Sequence, residues 1–132
     1  MAGELILIVE DNEKNRKLMR DVLQFKGYQT VEAETAVEGI RLAQDSRPAL
    51  ILMDLQLPGM NGIEALAQLR ADTRTKPIPV IAVTASAMTH DRQRILAAGF
   101  DGYQTKPISV KEFVEVVRQV LDQPRGSGAP SQ

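Results

Sequence analysis

Leu50-Ile51-Leu52-Met53-Asp54-Leu55-Gln56-Leu57-Pro58-Gly59-Met60-Asn61-Gly62 is the stretch from which the rest of the chain is best read. Four apolar residues run straight into a carboxylate, and Pro-Gly and Asn-Gly pairs follow within eight positions. A short continuous apolar run bounded by turn residues suits a strand buried on both faces, as in a parallel sheet. Asp54 then stands where that strand runs out, and the carboxyl ends of strands are where ligands and chemistry collect in open α/β sheets. An Asp in such a place also serves as a helix cap or turn residue, so its meaning depends on what the other strand ends carry.

Upstream, Leu5-Ile6-Leu7-Ile8-Val9 is a second buried-strand candidate, and it too ends in acid, Glu10-Asp11. Asn12 is placed as the N-cap of a helix with Leu18, Met19, Val22 and Phe25 at helical spacing, and Gly27 takes the C-cap position. Gln29 to Ala33 reads as a short strand. Thr35-Ala36-Val37-Glu38 has the spacing of a capping box and opens a helix with Val37, Ile40 and Ala43 on one face, ending at Pro48.

Downstream, the Pro58-Gly59 turn leads to a helix carrying Ile63, Leu66 and Leu69. Val80-Ile81-Ala82-Val83 is another apolar strand, running into Thr84-Ala85-Ser86. A helix from Thr89 to Ala97 ends at Gly99, and Gly102 to Thr105 forms a fifth strand before Lys106-Pro107. Ser109 to Glu112 is a second capping-box pattern, opening a helix with Phe113, Val116, Val117, Val120 and Leu121 on its buried stripe. Strand and helix alternate five times, which predicts an α/β fold with right-handed βαβ crossovers and helices on both faces of a parallel sheet. The folded domain is placed at residues 4–122, and residues 123–132, rich in Gly, Ser and Pro, are read as a disordered tail.

At 132 residues the chain has the size of one domain. A net charge of −1 argues against a general nucleic-acid binder. The absence of cysteine removes disulfides, thiolate nucleophiles and Cys-based metal sites. The apolar run near the N-terminus is too short for a signal peptide or a membrane span, and the expected location is the cytoplasm.

Lined up, the strand ends carry Glu10 and Asp11, then Asp54, Thr84 and Lys106. Parallel strands bring these ends to one sheet edge. Three carboxylates packed together repel unless a cation compensates, and a hard divalent ion such as Mg²⁺ suits carboxylate, carbonyl and water oxygens. A carboxylate nucleophile, a metal, an ammonium and a hydroxyl describe a site for a transferable phosphoryl group. On this reading Asp54 forms an acyl phosphate. Glu10 and Asp11 hold the metal, with Asp54 and the backbone carbonyl of Gln56, and Lys106 pairs with a phosphoryl oxygen.

Glu10-Asp11, Asp54 with Leu57-Pro58-Gly59-Met60-Asn61-Gly62, Val83-Thr84-Ala85 and Tyr103-x-x-Lys106-Pro107 resemble a response-regulator receiver domain over residues 4 to 122. The wording around Met53–Pro58, Thr84–Met88 and Lys106–Val110 is similar to the stand-alone DivK type of cell-cycle regulator. The resemblance implies a doubly wound five-stranded sheet of CheY-like order 2-1-3-4-5. It also implies Mg²⁺, with Mn²⁺ as a substitute, and phosphoryl-binding backbone groups at Leu55 and Ala85. A cis bond before Pro107 belongs to the same pattern. Phosphorylation at Asp54 would draw in the Thr84 hydroxyl and turn Tyr103 inward, remodelling the face made by the fourth helix, fifth strand and fifth helix. The implied partners are a sensor histidine kinase or histidine phosphotransfer protein as donor, and a downstream protein on that face. A monomer that dimerises on activation is expected, with neither nucleic acid nor membrane bound. Glu10 departs from many relatives, which carry Asp there.

Other readings compete. Glu10 and Asp11 also suit the N-terminus of the first helix, Thr84 a β-branched strand position, and Tyr103 a half-buried sheet edge. His90, the single histidine, is read as exposed and not a metal ligand; Met88 fits loop packing and partner contact equally. An Asp-nucleophile phosphatase would want a second acid two residues after Asp54, where Gln56 is a poor general acid. The first strand-helix turn lacks the G-x-G-x-x-G of a dinucleotide site. The expectation is therefore a phosphoacceptor switch and not an enzyme. The alternatives are a receiver from a longer hybrid kinase, or a receiver-like interaction module independent of phosphate.

Overall fold

The apolar runs of the sequence become strands because both of their faces are covered. Ile6, Leu7, Ile8 and Val9 are all buried, as are Leu50 to Met53 and Val80 to Val83. The computed structural model describes residues 3–85 and 89–123, without the side chains of Thr89 and His90. The expectations for Ser86, Ala87, Met88, the His90 side chain and the tail from Pro124 lie outside the described residues.

Five strands, β1 (Leu5–Val9), β2 (Gln29–Ala33), β3 (Leu50–Asp54), β4 (Val80–Thr84) and β5 (Gly102–Thr105), alternate with five helices. These are α1 (Glu13–Phe25), α2 (Ala36–Ser46), α3 (Gly62–Ala71), α4 (Thr89–Ala97) and α5 (Val110–Asp122). The strands form one parallel sheet in the order β2-β1-β3-β4-β5. Among the described residues, no helix is long and apolar enough to cross a membrane.

Strand alternation divides the core in two. Leu7, Val9, Ile51, Met53, Val80 and Ala82 meet α2, α3 and Ile95 of α4. Ile6, Ile8, Leu50, Leu52, Ile81 and Val83 face the other way, onto Met19 and Leu23 of α1 and Phe113, Val117 and Val120 of α5. Successive strand residues point to opposite faces, so each strand feeds both layers.

Helix starts follow their caps. Asn12 accepts from the Asn15 N–H at 2.9 Å, and Thr35 accepts from the Glu38 N–H at 3.1 Å. The Thr35 box is only half made, because Glu38 accepts from the Glu34 N–H. Ser109 is an N-cap with no side-chain cap bond. The complete capping box is the one at Asn61 and Glu64, which opens α3. Two apolar positions expected inside are outside: Phe25 is 86% exposed and Val37 67% exposed. The buried stripes use Leu23 and Ala36 instead, one residue round the helix in α2 and two back in α1.

Candidate functional site

The parallel sheet carries its strand ends to one edge. Asp54 and Thr84 are the last residues of β3 and β4, Glu10 follows β1, and Lys106 follows β5. The Lys106–Pro107 peptide bond is cis. The Lys106 N–H donates to the Thr84 carbonyl at 2.8 Å, so β4 and β5 stay joined past their ladder.

Three acids and one base meet here. Glu10, Asp11 and Asp54 each offer a carboxylate oxygen, and these oxygens lie within 4.8 Å of one another. Lys106 Nζ donates to Asp54 Oδ2 at 3.2 Å and to Glu10 Oε2 at 3.4 Å. Glu10 Oε1 is 3.3 Å from the same nitrogen but no donor meets it in hydrogen-bonding geometry. The Gln56 N–H donates to Asp54 Oδ1 at 2.9 Å, and the Asn12 N–H to Glu10 Oε2 at 3.2 Å.

The electrostatics follow from burial. Glu10 is fully buried and Asp54 nearly so, while Asp11 is exposed. Burial, the Asp54 side chain and its charge together push the Glu10 carboxyl up from 4.5 to about 7. Burial pulls the Lys106 ammonium down, but the carboxylates of Asp54 and Glu10 outweigh it and hold its pKa above the usual lysine value. One ammonium against three clustered acids leaves the site short of positive charge.

Thr84 is buried at the end of β4, in register with Thr105, and Ala85 beside it is exposed. The Leu55 N–H corrects an expectation: it donates to the Val83 carbonyl at 3.0 Å, continuing the β3–β4 ladder. That amide is already spent, and the backbone donor facing the Asp54 carboxylate is that of Gln56. Tyr103 stays apart from the carboxylates, level with Ala82 in the ladder. It is half-buried, with the Arg92 guanidinium 5.5 Å from its ring centroid. Tyr103 lines a groove of about 550 Å³ between α4 and α5, with Arg92, Leu96, Glu112 and Val116.

Sequence reasoning passes over Arg16 and quotes Gly62 only as part of a turn and of the Leu57–Gly62 motif. Arg16 Nη1 donates to the Glu10 carbonyl at 2.9 Å. Gly62 packs so close that a Cβ there would lie 2.8 Å from the Asp54 carbonyl oxygen and 2.7 Å from Leu55 Cδ2. The Asn61-Gly62 pair reads as a turn signal; its tight fit against β3 is a tertiary fact with no local mark. Arg16 does carry a mark, a cation near the positive end of a helix dipole.

The comparisons with known proteins agree with this geometry. The chain matches the response regulator receiver domain over residues 6–118. It is 47% identical over 116 residues to the polar-differentiation response regulator DivK of Brucella anthropi, covering 88% of this chain and 94% of that protein. Among solved structures, the receiver domain of a Pseudomonas aeruginosa sensor histidine kinase superposes with a TM-score of 0.84 at 33% identity. That match covers 92% of this chain and all of the other, which holds a magnesium ion coordinated in its active-site cleft. A chemotaxis response regulator of Vibrio cholerae gives a TM-score of 0.85 at 25% identity, covering 90% of this chain and 99% of that one.

Proposed function

The chain belongs to the response regulator receiver family, and from that premise we propose that Asp54 is its phosphoacceptor, served by a divalent cation on Glu10, Asp11 and Asp54. The protein acts as a phosphorelay receiver, a phosphoacceptor switch. What carries the assignment of residues is the cluster itself: three carboxylates with oxygens within 4.8 Å, at the ends of the parallel strands β1 and β3, against a single lysine.

The donor set fits Mg²⁺. It is all oxygen, it carries excess negative charge, and the buried Glu10 Oε1 has no hydrogen-bond donor. Glu10, Asp11 and Asp54 would hold the ion, with the Gln56 carbonyl as a further ligand. When bound, the cation neutralises charge on the phosphoryl oxygens. Mn²⁺, with the same preference for oxygen, is expected to substitute.

The rest of the work falls to the chain's own groups. An Asp54 oxygen attacks phosphorus in line, forming an O–P bond as the N–P bond of a donor phosphohistidine breaks. The released imidazole takes its proton from solvent. Lys106 and the Gln56 N–H hold the two Asp54 oxygens before transfer, and Lys106 then pairs with a phosphoryl oxygen. The Thr84 hydroxyl and the Ala85 N–H are further donors to that group. Gln56, two residues after Asp54, has no acidic proton to give, which supports a switch over a turnover enzyme.

Movement of Thr84 toward the phosphoryl group leaves room for Tyr103 to turn inward, changing the face made by α4, β5 and α5. The donor is a sensor histidine kinase or phosphotransfer protein, and the output is contact of a downstream protein with that face. In this reading the protein works in the cytoplasm as a monomer that associates on activation, with the cell-cycle role that the resemblance to DivK-type regulators implies; its DivK relatives are named for polar differentiation.

The test is intact mass after incubation with MgCl₂ and acetyl phosphate, with an Asp54→Asn control. A gain of one phosphoryl group, lost with EDTA and absent in the control, is expected. An unmodified wild-type chain that still binds Mg²⁺ would replace this reading with a receiver-shaped interaction module.

A further inference from the structure

Arg16 places a positive charge one turn into α1, where the helix dipole favours acids. Its side chain is nonetheless only 14% exposed, held on acceptors from two other segments. Nη1 donates to the Glu10 carbonyl at 2.9 Å, and Nε donates to Glu32 Oε1 of β2 at 3.1 Å. Nη2 stands 3.8 Å from Glu34 Oε2. The two peptide groups flanking the Glu10 Cα are thereby both held, since the Glu10 N–H donates to the Ala33 carbonyl at 3.0 Å. β1 ends at Val9, so these bonds fix the backbone from which Glu10 and Asp11 project.

We propose that Arg16 is a positioning residue for the divalent-cation site, clamping the Glu10 carbonyl against β2 so that the Glu10 and Asp11 carboxylates face Asp54. The proposal rests on the reading of those acids as cation ligands. It needs the arginine fork: one planar group meets a main-chain carbonyl and a carboxylate together, which a lysine point charge does poorly. Groups that orient metal ligands from behind typically govern affinity by about 10- to 100-fold.

Isothermal titration calorimetry with MgCl₂, paired with thermal unfolding in EDTA, tests it. Arg16→Gln is expected to bind Mg²⁺ about tenfold more weakly, with Arg16→Lys in between. Glu34→Gln, which leaves the bonds to the Glu10 carbonyl and to Glu32 in place, should stay within about twofold of wild type. Arg16→Gln binding like wild type while its unfolding midpoint falls would reduce Arg16 to a structural strut and overturn the proposal. If Arg16→Gln does not fold, weakened binding by Arg16→Lys against unchanged Glu34→Gln supports the clamp, and Arg16→Lys binding like wild type overturns it. A wild-type chain that takes up no Mg²⁺ would overturn the underlying ligand reading, a result distinct from a bound wild type with an indifferent variant.

Discussion

Glu10 is the residue on which the charge balance of the site turns. It is fully buried beside Asp54, with Lys106 as its compensating cation, and its ionised form is disfavoured by burial and by the neighbouring acid. A neutral isostere should suit the metal-free fold better than the carboxylate does. Glu10→Gln is therefore expected to raise the unfolding midpoint in EDTA and to weaken Mg²⁺ binding, so that added Mg²⁺ stabilises wild type more than the variant. A lower midpoint in EDTA would show that the Lys106 pair outweighs the repulsion. Asp72, just after α3, is the opposite kind of acid. Side-chain bonds from Arg74, the Arg74 N–H and Gln44 hold its carboxyl down from 3.8 to about 2. Its folded value lies below its unfolded one, so its contribution is present above about pH 4 and fades as pH falls toward 2. In urea titrations Asp72→Asn should be less stable than wild type at pH 5, with the gap closing by pH 2. A gap that is constant across that range would remove the carboxylate from the account.

At the scale of elements, the start of α3 is what aims the acceptor. Asn61 and Glu64 close a full capping box, and Gly62 brings the first helical turn against the backbone of Asp54 and Leu55. Gly62→Ala must push that backbone aside, an overpacking cost of about 1–3 kcal/mol. Gly102→Ala, whose Cβ would lie 3.2 Å from Val120 Cγ2 at the other end of the sheet, is the comparison. Both variants are expected to melt earlier, but only Gly62→Ala should slow labelling by acetyl phosphate; equal rates would detach α3 from the acceptor's placement. This dependence is poorly legible in the sequence, whereas the elements themselves are plain in it. β2, α4 and β5 begin and end where composition and turn residues put them, because apolar runs and glycine stops are local signals. What fails is what depends on neighbours. Phe25 and Val37 keep helical spacing yet face water, because the stripe a helix buries is chosen by the sheet it meets. Ser109 has the capping-box pattern without the bond, and Leu55 has an amide beside the acceptor that the ladder already uses. The gathering of Glu10, Asp11, Asp54 and Lys106 was legible, because parallel strands leave their ends no other place to go. Arg16 carries only the mark of a cation near the positive end of a helix; its partner, a main-chain carbonyl, is one that no residue type announces.

Across the whole molecule, rigidity is unevenly shared, and that decides where a phosphoryl group can be felt. β1, β3 and β4 are buried between two cores, and no strand moves there without repacking both layers. The β5 side is different. β5 is a four-residue edge strand, half-buried along most of its length. Of the described α4 side chains only Ile95 is buried, and Leu96 is 52% exposed. Arg92 covers Tyr103 by a cation–π contact at the rim of an open groove, an arrangement worth about 0.5–1 kcal/mol at exposed sites. Low-stability segments of this kind are the ones that answer to a ligand. The charge-assisted pull on Thr84 proposed above, one strand away, would act on the part of the fold with least to lose. Hydrogen exchange read by mass spectrometry, with and without acetyl phosphate and Mg²⁺, should show altered protection in α4, β5 and the α5 side of the groove. α2 and β1 should be unchanged, and Asp54→Asn should abolish the difference. Protection that changes evenly over the sheet would mean that the phosphoryl group stabilises the fold as a whole, by mass action, without selecting a second arrangement of its edge.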